Sequence, residues 1–173
     1  RFAALACNSA HAPQIFDVIL SELNDNYSRI KLLHMIRETG IFIKEQYPDR
    51  KKVGILGTTG TYYTRQYDLI NESGLDTVYL SEADQRILHS AIYHPAFGIK
   101  SNAGKITEET GTIVNNSIIS LINKGAEIVV LGCTELPLVF SYSLYNDVPV
   151  IDTSLVVARA LIKAHSPEKL KPW

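Results

Sequence analysis

The chain has 173 residues, of which 46% are hydrophobic and 20% charged, and its formal net charge is −1. That balance suits a globular protein with a sizeable core and offers no basic surface for nucleic acid. No apolar run approaches the roughly 20 residues needed to cross a bilayer, and two cysteines make no disulfide framework, so the expected compartment is a reducing cytoplasm with no membrane partner.

In chain order, Phe2–Ala6 runs apolar into Cys7 and predicts a strand. Ala4-Leu5-Ala6-Cys7 faintly matches the end of a lipoprotein signal, but too little apolar sequence precedes it. A chain opening on Arg1 inside a core strand is expected to be truncated, because it leaves a sheet edge unpaired. Ala12-Pro13 suits a helix start. Ile15, Ile19 and Leu23 supply that helix's apolar face until Asn24-Asp25-Asn26 ends it. Ile30–Leu33 predicts a second strand with His34 at its end, and Met35–Gln46 a second helix. Tyr47–Lys52 is charged and is the expected crossing between lobes.

Val53–Leu56 then reads as a strand, Gly57-Thr58-Thr59-Gly60-Thr61 as a loop, and Tyr62–Ile70 as a helix. Asp76–Leu80 predicts a strand, Glu82–Tyr93 a helix, and His94–Lys105 a long loop. Thr107 is placed to cap a helix with its apolar stripe at Ile113, Val114, Ile118, Leu121 and Ile122, stopped at Lys124-Gly125. Glu127–Leu131, apolar after its first residue, reads as a buried parallel strand running through Gly132 into Cys133. Leu136–Leu144 is expected to be helical, Val148–Asp152 the last strand, and Leu155–His165 the closing helix. The order strand, Cys, helix, strand, helix thus occurs twice. The expected fold is α/β, with mainly parallel sheets flanked by helices in two pseudo-symmetric lobes. Residues 1–50 and 145–173 would form the first lobe, incomplete at its N-terminus, and 51–144 the second.

Each cysteine stands where a strand ends and a helix is expected, a place where backbone N–H groups favour an anion and a thiol can ionise more readily. The 57–61 loop sits at another strand end, and its N–H and hydroxyl groups form a cradle for a carboxylate or phosphate. It lacks the Gly-Lys-Ser/Thr of a nucleotide-binding loop. Two thiols facing one cleft can form a disulfide, bind a soft metal, or move protons. His11, four residues after Cys7, is a candidate third ligand, but no C-x-x-C or H-x₃-H completes a zinc set, and no metal is expected. Two thiols on opposite faces of a carbon acid explain more: one removes the Cα proton and the other donates to the far side.

Ala6-Cys7-Asn8-Ser9-Ala10-His11, Leu56–Thr61 (LGTTGT) and Leu131–Leu138 (LGCTELPL) resemble, in order and separation, the three signature segments of the aspartate/glutamate racemase family, and Val148–Asp152 (VPVID) agrees. His11 and Glu135 resemble the aspartate racemase branch. The resemblance implies a cofactor-independent racemase, usually dimeric, acting on an acidic amino acid. Cys7 and Cys133 would be its acid/base thiols, with Asn8, Ser9, Thr58, Thr59, Gly60 and Thr134 holding the amino and carboxylate groups. Lys100 would match a substrate-binding lysine. The family pattern also has an earlier strand with a Gly-rich loop and an arginine for the side-chain carboxylate, neither present in this sequence, so the chain is expected to be poorly active as it stands. A catalytically silent dicarboxylate binder and a related decarboxylase or isomerase are the alternative readings.

Overall fold

The computed structural model describes residues 1–26, 29–102, 105–141 and 143–173. Ala103 and Gly104 of the expected loop, and residue 142 in the expected helix after Cys133, lie outside the described residues.

Two sheets organise the chain. Strands β1 (Phe2–Ala4) and β2 (Lys31–Leu33) pair in parallel, Phe2 beside Lys31 and Ala4 beside Leu33. Helix α1 (Pro13–Asp25) connects them, and α2 (Met35–Gln46) follows. The larger sheet contains β3 (Lys52–Gly57), β4 (Asp76–Val78), β5 (Ile128–Gly132), β6 (Leu144–Tyr145) and β7 (Val148–Asp152), in the order β4-β3-β5-β7-β6. All its pairings are parallel except β6–β7. Helices α3 (Thr59–Thr64), α4 (Glu82–Tyr93), α5 (Glu108–Asn123) and α6 (Thr153–His165) complete the α/β architecture of mainly parallel sheets flanked by helices.

The apolar run of β5 has a simple cause: both faces of that strand are covered, as parallel sheets require. Val129 and Leu131 pack with Leu88, Ile92, Val114, Ile118 and Leu121 of α4 and α5. Ile128 and Val130 pack on the other side with Ile36 and Ile43 of α2, Tyr67, Ile70 and Val156 of α6. Val114, Ile118 and Leu121 recur at helical spacing, which is why α5 presents one buried stripe. Its N-cap is Thr107, whose hydroxyl accepts from the Thr110 N–H at 3.2 Å.

Three expectations change. Val148–Asp152 hydrogen-bonds to β5 and not to the sheet of β1 and β2, so this strand does not join residues 1–50 in one sheet. Helix α6 after it does pack against β1 and β2. The helix expected at Tyr62–Ile70 is broken: α3 ends where Arg65 takes a left-handed backbone (φ 51°), and a 3-10 segment, Gln66–Ser73, follows. Arg65 is held there with its guanidinium 4.0 Å from the Tyr79 ring centre and 4.9 Å from that of Tyr62. Among the described residues of the helix expected at Leu136–Leu144, only Leu136–Leu138 is helical, as a 3-10 turn with Pro137 in it. The chain leaves it for β6, which returns to β7 through Asn146 and Asp147, both with positive φ (45° and 66°). That is the two-residue turn that matches the twist of a hairpin.

Candidate active site at the strand ends

Cys7 enters a 3-10 turn, Asn8–His11, in extended conformation (φ −155°, ψ 112°) and is exposed. Cys133 directly follows β5 and is buried, 5% exposed. Both therefore stand beyond carboxyl ends of parallel strands, where open α/β sheets place their ligands.

Glu135 gathers three of the sequence-named residues. The Cys133 thiol donates to its Oε2 at 3.0 Å, the Thr134 hydroxyl donates to the same oxygen at 2.9 Å, and Lys100 Nζ pairs with Oε1 at 2.8 Å. Burial pushes the Cys133 thiol up to about 12, and its hydrogen bond to a carboxylate works in the same direction. Burial also disfavours the Glu135 anion, yet the hydrogen bonds from Cys133, Lys100 and Thr134 prevail and hold it down to about 2. The shared proton accordingly rests on sulfur. The hydrogen bond to Glu135 raises the Lys100 pKa in turn.

The Gly-Thr loop reaches the same cluster through two rings. Lys100 Nζ lies 5.1 Å from the Tyr93 ring centre, Tyr93 stacks on His89 at 4.8 Å, and His89 Nδ1 accepts from the Thr59 N–H at 3.2 Å. Thr58 is buried and caps α3, its Oγ1 accepting from the Thr61 N–H at 3.3 Å. Gly60 is exposed and Ser9 half-buried.

Asn8 is placed differently from the other candidates. It is 3% exposed, its Nδ2 donates to Thr153 Oγ1 at 3.2 Å, and its Oδ1 accepts from the Tyr67 hydroxyl. Its carbonyl accepts from Gln66 Nε2 at 2.7 Å. The amide thus faces buried partners. His11 is also buried, its Nε2 donating to the Leu5 carbonyl at 3.1 Å, while its ring lies 4.6 Å from His34 and 5.0 Å from Phe16. That carbonyl bond makes Nδ1 the unprotonated nitrogen, and no described group pairs with it.

A cavity of about 600 Å³ opens beside this histidine pair, lined among others by Phe16, Arg37, Arg65 and Glu72, but neither cysteine lines it. An open groove of about 640 Å³ along Phe2, Leu161 and Ile162 is likewise away from the thiols. Size alone does not mark the chemistry here.

Residues 1–161 match the model of the Asp/Glu/Hydantoin racemase family. The chain belongs to that family. It is 24% identical over 170 residues to a glutamate racemase of Pseudomonas paraeruginosa (strain DSM 24068 / PA7), covering 96% of this chain and 58% of the relative. Among solved structures it resembles the Picrophilus torridus aspartate racemase, with a TM-score of 0.71, 27% identity, and 94% of this chain and 61% of that one covered. It also resembles an aspartate racemase homologue from Pyrococcus horikoshii OT3, with a TM-score of 0.70, 25% identity, and coverage of 94% and 66%. The chain thus spans roughly three fifths of the length of these relatives. Among the described residues no helix is long and apolar enough to cross a membrane.

Sequence reasoning did not give Glu135 its position at the centre of this cluster, although an acid two residues from a candidate thiol is a signal for a charge partner. It gave Tyr67 no role and read Thr153 only as a helix cap, a place that Asp152 takes. A fully buried tyrosine inside an apolar stretch carries no mark in sequence that separates it from ordinary core.

Proposed function

We propose that this chain carries the machinery of a cofactor-independent amino-acid racemase, interconverting the enantiomers of aspartate or a close acidic amino acid. One thiolate takes the Cα proton, so that the Cα–H bond breaks and an S–H bond forms. The opposing thiol then gives its proton to the other face of the carbanion, and the two sulfurs end the turnover with their protonation states exchanged. Cys7 and Cys133 fill these roles. The observation that carries the reading is the Cys133 thiol 3.0 Å from a carboxylate oxygen of Glu135, which is itself paired with Lys100. A thiol held protonated at neutral pH is suited to act first as the acid.

Lys100 is proposed to exchange Glu135 for a substrate carboxylate, and the backbone of Thr59 and Gly60, with the hydroxyls of Ser9, Thr58 and Thr134, to hold the remaining polar groups. Asn8 contributes to the site through the backbone it fixes more than through its amide, which is already bonded inside. A homodimer in the cytoplasm, taking a small acidic substrate and no nucleic acid, belongs to the same proposal.

The second reading, a dicarboxylate binder without turnover, draws on that committed Asn8 amide. Deuterium exchange separates the two. In D₂O a racemase washes deuterium into Cα of both aspartate enantiomers, and Cys7→Ala or Cys133→Ala abolishes racemisation. Saturable aspartate binding with no exchange at Cα would sink the racemase reading.

A further inference from the structure

We infer that Tyr67 and Thr153 are positioning residues that fix the separation of the two cysteine turns through the side chain of Asn8; this rests on the two-thiol reading above. Tyr67, Thr153, Asn8 and Gln66 are all buried, and they come from three separate segments: the 3-10 segment after α3, which holds both Gln66 and Tyr67, the start of α6, and the turn after Cys7. Their side chains are joined by a run of hydrogen bonds. The Tyr67 hydroxyl donates to Asn8 Oδ1, Asn8 Nδ2 donates to Thr153 Oγ1 at 3.2 Å, and the Thr153 hydroxyl donates to the Leu131 carbonyl at 3.1 Å. The Thr153 hydroxyl also lies 3.4 Å from Asn8 Oδ1, and Gln66 Nε2 donates to the Asn8 carbonyl at 2.7 Å.

Both ends of this chain of bonds are set against the cysteines. Asn8 is the residue after Cys7, and Leu131 lies two residues before Cys133. Tyr67 touches both turns by itself: a Cβ placed on Gly132 would meet Tyr67 Cε2 at 2.9 Å and Cζ at 3.2 Å, so the ring lies directly on the backbone before Cys133 while its hydroxyl holds Asn8. Gly132 is required there by that close approach and by the Leu56 carbonyl, 2.9 Å from the same point. Two acid/base groups acting on one carbon need a fixed gap between them, and a misplacement on the order of 1 Å costs about 100-fold in rate. A buried hydrogen-bonded network is suited to hold such a gap.

Tyr67→Phe and Thr153→Val each delete one hydroxyl and keep the shape, and Thr153→Ser restores it. The test measures bridging of Cys7 and Cys133 in the full chain by dibromobimane, which fluoresces on joining two thiols, beside single alkylation of Cys7. Expected is a loss of bridging of about fivefold or more in Tyr67→Phe and Thr153→Val, with alkylation of Cys7 unchanged and recovery in Thr153→Ser. Where turnover is measurable, kcat referred to the folded fraction should fall about 100-fold with KM within about twofold. Unchanged bridging in either folded variant overturns the inference, as does failure of the unmodified chain to bridge at all. If one deletion fails to fold, the other decides; if both fail, Thr153→Ser must fold and bridge as the unmodified chain does, or the inference falls. Bridging that responds as expected, with no Cα exchange of any amino acid, leaves the inference standing and removes only the racemase reading.

Discussion

Glu135 decides the electrostatics around Cys133, because one carboxylate oxygen accepts from both the thiol and Thr134 while the other faces Lys100. Burial is the largest influence holding the thiol's pKa high, and removing the Glu135 charge removes what the carboxylate adds to it. Glu135→Gln in a Cys7→Ser background should therefore move the ultraviolet thiolate titration of Cys133 to lower pH, and a titration that stays in place or rises would contradict the hydrogen bond seen here. Lys100 has a separable role. It is part-exposed, 38% by side chain, so its ion pair contributes little to stability. On the racemase reading Lys100→Met should raise KM for aspartate by about tenfold, the worth of roughly 1.4 kcal/mol in binding, while thermal unfolding changes little. Steady-state kinetics beside a melting curve would check both halves of that statement.

Helix α5 and strand β5 are the elements whose packing sets the rest. Ile118 is fully buried between α4 and β5, so Ile118→Ala leaves a cavity and should cost about 2–5 kcal/mol in denaturant unfolding. Ile87, on the same pair of helices but 53% exposed, should lose no more than about 0.5 kcal/mol as alanine. At the start of α6, Asp152 Oδ1 accepts from the Ser154 N–H at 2.8 Å and the Leu155 N–H at 3.4 Å. Asp152→Ala should thus cost about 1 kcal/mol. The cap at this strand end, and the similar one in which His34 Nδ1 accepts from the Arg37 N–H at 3.5 Å, are local features that sequence alone could place. The helix expected after Cys133 was not, because Asn146-Asp147 was not read as a hairpin turn and two-residue β6 is too short to show a period.

Across the whole molecule, the histidine pair next to the Cys7 turn makes stability depend on pH. Burial, then the nearby His11 and Arg37, lowers the His34 pKa from 6.5 to about 4, and burial lowers that of His11. Between these values the unfolded chain binds more protons than the folded one, so stability rises with pH. It should be fully present above about pH 6.5 and be lost progressively as pH falls through about 4. Glu135, depressed from 4.5 to about 2, adds a loss that begins near pH 4.5 and runs down to about 2. Urea unfolding at a series of pH values should show a decline below neutrality that flattens in His34→Gln. An unchanged slope would mean that His34 titrates normally in the folded protein.

The sequence by itself determined the alternation of strands and helices, the buried character of β5, the caps, and the two cysteines with the Gly-Thr loop at strand ends, because each of these is written in spacing over a few neighbouring residues. Lys100 lies 35 positions from Glu135 and Asn8 145 from Thr153, so no local period joins them; the sheet and the packing of α6 do. Only the tertiary structure decided that β7 pairs with β5, that Glu135 is shared by thiol and ammonium, and that Tyr67 lies across both cysteine turns, since hydrogen bonds over such separations exist only once the apolar faces have been buried.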